Sequence, residues 1–207
     1  MTTMNKKLKI ALVILGISAA VTTGVVILKR KKTVTSVTAP NGSTVSLNPI
    51  QSAIISEASR WVGVKEIGNN ASFSNSSFEA KMKDKGLWKS GEPYCAAFVM
   101  MVLVSVSSGA AQAVFKQYGH KNAEYLYNSL KNTAYSEVIK TPEPGCIVCY
   151  KGHTELCEST DGKTNTVITA NSLNADGSQG VSRKTRKAGA ALGTDPFLGY
   201  IRIKKLS

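Results

Sequence analysis

The sequence predicts an α+β domain, with N-terminal helices packed on an antiparallel β-sheet, preceded by one transmembrane helix. Three observations carry that expectation. Residues Ile10 to Leu28 are an unbroken run of uncharged, mostly apolar positions. From Ile50 to Asn132 apolar residues recur at helical spacing, and after Thr141-Pro-Glu-Pro-Gly145 the character changes to short β-branched runs.

Each element follows from its own residues. Residues 1–9 form a basic tail with Lys6, Lys7 and Lys9, and residues 10–28 are the expected anchor. A membrane-crossing helix needs ~20 apolar residues. Ser18-Ala19-Ala20 offers a small-residue site for signal cleavage, but the run continues past it into Lys29-Arg30-Lys31-Lys32, which favours an uncleaved anchor. Residues 29–52, rich in Thr, Ser and Asn with Pro and Gly, read as a linker. Residues 53–207 form the globular domain.

Within that domain, Ile54, Ile55, Ala58, Trp61 and Val62 make a helical stripe. The Asn- and Ser-rich stretch 69–77 reads as loop, and "FEAKMKDKGLW" as a short helix ending near Gly86. A long helix follows from about Cys95 to Ser107, apolar on nearly every side and therefore central. "NAEYLYNSLKN" is helical. "CIVCY", Lys151-Gly152 and "HTELCES" read as a hairpin, followed by "TNTVITAN" and the closing "FLGYIRI" as strands.

Lys and Arg number 26 against 13 acids, and seven of the bases lie in the first 32 positions. The excess suits an anionic polymer or an anionic lipid surface, or simply a solvated basic face. The four cysteines, Cys95, Cys146, Cys149 and Cys157, are too unevenly spaced for a small disulfide-stapled scaffold. "DGKTNT" and "NADGSQG" have too few acids for a calcium loop and read as turns.

Cys95 has two readings: a small packed hydrophobe, or a nucleophile at the mouth of a helix. Unpaired N–H groups in a helix's first turn favour a thiolate and can stabilise an oxyanion. Of the two histidines, His120 sits in a polar stretch as a surface residue, whereas His153 opens a strand after a Gly turn. There it can take the thiol proton, with Asn171 one strand later as the natural orienter. A helix-borne Cys, a strand-borne His and a polar orienter form the papain-like arrangement of the triad.

"GVKEIGNN" (63–70), "PYCAAFV" (93–99), "PGCIVCYKGHTELCES" (144–159) and "LGYIRI" (198–203) also stand in an order that resembles CHAP-type domains. These are cysteine- and histidine-dependent amidohydrolases/peptidases related to the NlpC-type wall peptidases. The resemblance spans roughly residues 53–203. It implies a papain-like cysteine peptidase fold, with Cys95 as nucleophile and His153 as base. Where the family has a stretch like "EGN", this chain has Thr169-Ala170-Asn171, so the Asn is kept and the Glu is missing. Asn171 is therefore the expected third catalytic residue. Glu155, which strand periodicity returns to the face of His153, is the second candidate for that role. Tyr94 and Glu155 are the expected substrate-binding residues.

The resemblance further implies hydrolysis of an amide bond in peptidoglycan, by an amidase or endopeptidase, without metal or organic cofactor. The partners are then peptidoglycan and, through the N-terminal helix, a membrane, with no nucleic acid. The domain would face the wall outside the cytoplasm of a bacterium, or a virion membrane in phage entry or lysis. Two alternatives stand beside it. One is a catalytically inactive wall-binding or assembly module on the same fold. The other is a zinc-dependent nucleic-acid binder using Cys146, Cys149, His153 and Cys157, whose C-x2-C-x3-H-x3-C spacing is close to a zinc knuckle. Strand alternation argues against the knuckle by placing Cys146 and Cys149 on opposite faces. A Lys151-Gly152 turn would set Cys146 opposite Cys157, as a cross-strand disulfide or as reduced core cysteines.

Overall fold

The computed structural model describes residues 33–84, 86–117 and 122–207. The element that organises them is a helix, α3 (Cys95–Val106), with ten of its twelve residues buried. Such a helix has no solvent face to present and must be enclosed on all sides. Four other helices surround it: α1 (Pro49–Ser59), α2 (Ser76–Asp84), α4 (Gly109–Gln117) and α5 (Ala123–Leu130). α1 begins at a capping box, in which the Asn48 side chain accepts from Gln51 N and the Gln51 side chain accepts from Asn48 N.

The remaining side of α3 rests on strands. The main sheet has seven antiparallel strands: β5 (Asn132–Thr133), β6 (Ser136–Ile139), β7 (Ile147–Tyr150), β8 (Thr154–Thr160), β9 (Thr164–Leu173), β10 (Gln179–Lys187) and β11 (Phe197–Ile203), in the order β10-β9-β8-β7-β11-β6-β5. α3 lies against β8 and β9. Ile147, Cys149, Leu156, Ile168, Ala170 and Ile201 join the helices in the larger core. The opposite sheet face is covered too, by a smaller cluster of Cys146, Val148, Tyr150, Cys157, Val167 and Tyr200. Burying a large apolar side chain such as Phe98 in the main core contributes about 1.5–3 kcal/mol.

Two short hairpins complete the chain. β1 (Ser36–Thr38) pairs with β2 (Thr44–Ser46) across a turn containing Asn41-Gly42, with Gly42 at φ +84°. β3 (Glu66–Ile67) pairs with β4 (Ser72–Phe73). The stretch leading into β3 crosses β10, where Val181 N donates to Val64 O at 2.8 Å and Gly63 N donates to Val181 O at 2.8 Å. Gly180 is required at this crossing, because an added Cβ would stand 2.3 Å from Val64 O.

These findings correct the sequence reading in three places. The expected papain-like fold is not shown; what forms is the seven-stranded antiparallel sheet, with five helices among the described residues. The sheet is larger than expected because polar segments without a strong β signature pair as strands. "QGVSRKTRK" is the clearest case, forming the edge strand β10 along β9. Its basic side chains leave the strand charged at its free edge, which discourages pairing with another chain.

The linker expected over residues 29–52 is partly folded, since its Thr/Val alternation and Asn-Gly turn make the β1–β2 hairpin. Val34 N donates to Ser56 Oγ at 2.8 Å and ties that hairpin to α1.

The single-pass membrane placement is also withdrawn. Among the described residues no helix is long and apolar enough to cross a membrane. The expected span at 10–28 lies outside the described residues, as do the basic tail and His120.

Candidate functional site

The residues before α3 set up its first turn. Tyr94 is non-helical at φ −127° and supplies no side-chain cap. Its carbonyl accepts from Phe98 N at 2.8 Å, which starts the helix. The amides of Cys95, Ala96 and Ala97 therefore have no acceptor within the helix. Cys95 stands first in this turn and is 4 % exposed. Its backbone amide and those after it supply donors and a positive partial charge where an anion could develop.

His153 comes from the β7–β8 hairpin. Tyr150 N donates to His153 O at 2.8 Å across the Lys151-Gly152 turn, and Lys151 N donates to Pro196 O at 3.0 Å. Pinned from both sides, the hairpin places the imidazole near Cys95, whose sulfur favours the ring's charged form. His153 Nε2 lies 2.8 Å from Thr169 Oγ1 and 3.4 Å from Glu155 Oε1. With Nε2 engaged there, Nδ1 is the ring nitrogen left for another partner.

Behind the histidine stands an ion pair. The Glu155 side chain is wholly buried, and Arg186 reaches it from β10 with Nη2 at 2.8 Å and Nε at 3.1 Å from Oε1. The alternation of β8 puts residues 153 and 155 on one side of the strand. Glu155 pairs with Thr169 in the β8–β9 ladder, so the ladder sets these two partners of His153 side by side.

The electrostatics follow from this geometry. Burial works against a charged His153 ring, but hydrogen bonds and charge from Cys95 and Glu155 outweigh it and raise the ring from 6.5 to about 9. Burial alone would raise Glu155 as well, yet the His153 and Arg186 hydrogen bonds hold its carboxyl below the ordinary value. The favoured state of the ring is thus an imidazolium beside the Cys95 sulfur, backed by a carboxylate. Its Nε2–H donates to Thr169 Oγ1.

The other thiols are unlike Cys95. Burial pushes Cys149 far up, while the Cys146 thiol and then burial push Cys157 up. All four cysteines are free. The turn does set Cys146 opposite Cys157, with Cys157 N donating to Cys146 O at 2.9 Å. Cys149 lies on the other sheet face, in the helix-side core, so the knuckle spacing does not converge. Among the described residues no three His, Cys, Asp or Glu side chains are grouped to hold a metal ion.

The sequence-derived site residues separate accordingly. Cys95 and His153 come together, and Glu155 stands behind them, partnered by Arg186 and His153 rather than open to substrate. Tyr94 is buried, with its ring edge-on to Phe73 at 4.8 Å between centroids.

Asn171 stands apart from the ring: among the described residues no hydrogen bond joins it to His153. It occupies the left-handed region at φ +56°, opposite an irregularity in the β9–β10 ladder, and so leaves the strand's regular alternation.

Sequence reasoning missed the roles of Thr169 and Arg186. Thr169 could have been found from the hairpin register, which carries Glu155 across to it. Arg186 required the β9–β10 pairing, for which a run of basic residues carries no distinctive signal. Comparison with protein-family models, with curated proteins and with solved structures finds no match to this chain.

Proposed function

We propose that this chain is a cysteine-dependent hydrolase that cleaves an amide bond in peptidoglycan. The observation that carries the reading is Cys95 at a helix N-terminus near a His153 whose charged form is favoured by Cys95 and by buried Glu155, 3.4 Å from its Nε2. Its support as a wall enzyme is the resemblance of the four motifs to CHAP-type domains and the excess of 26 bases over 13 acids, which suits anionic wall polymers.

In this mechanism Cys95 has passed its proton to His153, and the sulfur of the resulting thiolate–imidazolium pair attacks the substrate carbonyl carbon. The resulting oxyanion takes hydrogen bonds from the first-turn amides of α3. The tetrahedral intermediate collapses, the C–N bond breaks, and the His153 imidazolium gives its proton to the leaving amine. Neutral His153 then takes a proton from water, which attacks the thioester and frees the Cys95 thiolate with the acid product. Thr169 and Glu155 hold the ring in place through both half-reactions, and Arg186 holds Glu155.

The test is release of soluble fragments from purified dye-labelled peptidoglycan by the wild type, Cys95→Ala and His153→Ala. Removing either member of such a pair is expected to cost about 10³-fold or more in rate. Equal release by all three proteins sinks the mechanism and leaves a binding module.

A further inference from the structure

Six buried side-chain oxygens among the described residues have no hydrogen-bond partner, and four of them belong to Glu66, Asn70, Tyr94 and Asn171. These four residues are neighbours. Glu66 Oε1 accepts from Asn70 N at 2.6 Å, leaving Oε2 unmatched. Glu66 pairs with Phe73, whose ring centroid stands 4.8 Å from that of Tyr94, and Lys65 bridges Gly180, which pairs with Ser172 next to Asn171. The Tyr94 hydroxyl feels the Glu66 charge, and Tyr94 itself is 0 % exposed. Glu66, Asn70 and Asn171 are only partly buried, so the group borders the surface. Tyr94 directly precedes Cys95, which puts the group beside the nucleophile.

Two further facts mark this as a built site. Asn69, Asn70 and Asn171 are the non-glycine residues in the left-handed region among those described, and all three belong to this neighbourhood. No cation among the described residues pairs with Glu66, whereas neighbouring Lys65 is taken by Asp176 at 2.9 Å. Unmatched buried oxygens are costly unless something supplies donors. Three of these oxygens, Glu66 Oε2, Asn70 Oδ1 and Asn171 Oδ1, are acceptors, and one bears a carboxylate charge. The complementary group carries several N–H donors and a positive charge, which describes a primary ammonium.

We propose that Glu66, Asn70, Tyr94 and Asn171 form a subsite for a free primary ammonium of the substrate. This rests on the peptidoglycan hydrolase reading, in which stem peptides offer such amines at the peptide N-terminus and on the diamino-acid side chain. Glu66 takes the charge, the two amides take further N–H donors, and Tyr94 closes the inner end. Engaging the amine there fixes the register of the peptide relative to the Cys95 thiol.

The experiment uses the full chain carrying Cys95→Ala, titrated calorimetrically with synthetic L-Ala-γ-D-Glu-L-Lys-D-Ala. The peptide is presented with both amines free, with the α-amine acetylated, and with the ε-amine acetylated. Acetylating one amine is expected to weaken binding at least tenfold, which also identifies the amine that is bound. That discrimination is expected to vanish when Glu66→Gln is added and to shrink with Asn171→Gly, which suits the left-handed backbone at that position. Circular dichroism and melting verify that both variants are folded. Equal binding of the three peptides, binding of none, or discrimination that survives Glu66→Gln overturns the subsite.

The wall-release assay with wild-type protein reads the hydrolase separately. Release without amine discrimination removes the subsite alone, and discrimination without release removes the hydrolase alone.

Discussion

The Arg186 guanidinium holds the Glu155 carboxylate with Nη2 2.8 Å from Oε1, and the carboxylate it holds is wholly buried. Glu155 is therefore charged in the interior only because Arg186 and His153 share it. Arg186→Met removes the one permanent cation and leaves that charge unmatched. Breaking a buried pair from one side costs about 3 kcal/mol or more, so a clear drop in urea midpoint is expected. Adding Glu155→Gln to Arg186→Met is expected to restore part of that stability, since the unmatched charge is gone. An unchanged midpoint in the single variant counts against the buried pair.

The charge state of His153 gives a pH signature. Its ring titrates at about 9 in the folded chain against an ordinary 6.5. A group raised on folding contributes stability that is complete below 6.5 and is lost as pH rises through about 9. Glu155 is shifted the other way, so its contribution is present above the ordinary carboxylate value and disappears as pH falls. Melting temperature followed across pH is expected to fall on both sides of a plateau. His153→Gln is expected to remove the part of the alkaline fall that begins above 6.5. The later loss from the raised Cys149, Cys157, Tyr94 and Tyr150 is left, while Arg186 keeps an acid limb for Glu155. A wild-type alkaline limb unaltered by that substitution excludes His153 as its source.

Thiol chemistry should separate Cys95 from the other three. Cys149 and Cys157 are wholly buried and their thiols are held protonated, whereas Cys95 touches the surface and His153. Brief treatment of native protein with iodoacetamide is expected to add one label, mapped by mass spectrometry to Cys95. Denatured protein takes four, matching its four free cysteines. His153→Ala is expected to slow labelling of native protein by about tenfold or more. Labelling spread evenly over the four positions removes the distinction.

The β3–β4 hairpin depends on a close backbone crossing. A Cβ at position 180 would stand 2.3 Å from Val64 O and 3.2 Å from Lys65 Cα, both main-chain atoms. Gly180→Ala is accordingly expected to destabilise the chain by about 1–3 kcal/mol, as overpacking does. Hydrogen exchange should locate the loosening at residues 63–73, where the crossing and hairpin lie. Wild-type stability and protection at those residues would mean that the crossing can open without cost.

What the sequence by itself determined was local. The apolar run from Cys95 made a buried helix, because burial on every face is the only way to hide it. Lys151-Gly152 between two β-branched runs made the hairpin and its register, and with it the opposition of Cys146 and Cys157. A cysteine at a helix start and a histidine after a turn were visible because such positions are written in neighbouring residues.

Only the tertiary structure decided the rest. "QGVSRKTRK" became a strand by pairing with β9, although nothing in its own composition demands it. That pairing delivered Arg186 to Glu155 from 31 positions away. The third partner of His153 changed for a geometric reason. Asn171 has the right residue type and lies one strand on, but its left-handed backbone takes it out of the ladder's alternation. Thr169, regular within the ladder, meets the imidazole instead. Residue type and spacing nominate a site, but strand register and backbone handedness decide which side chain arrives.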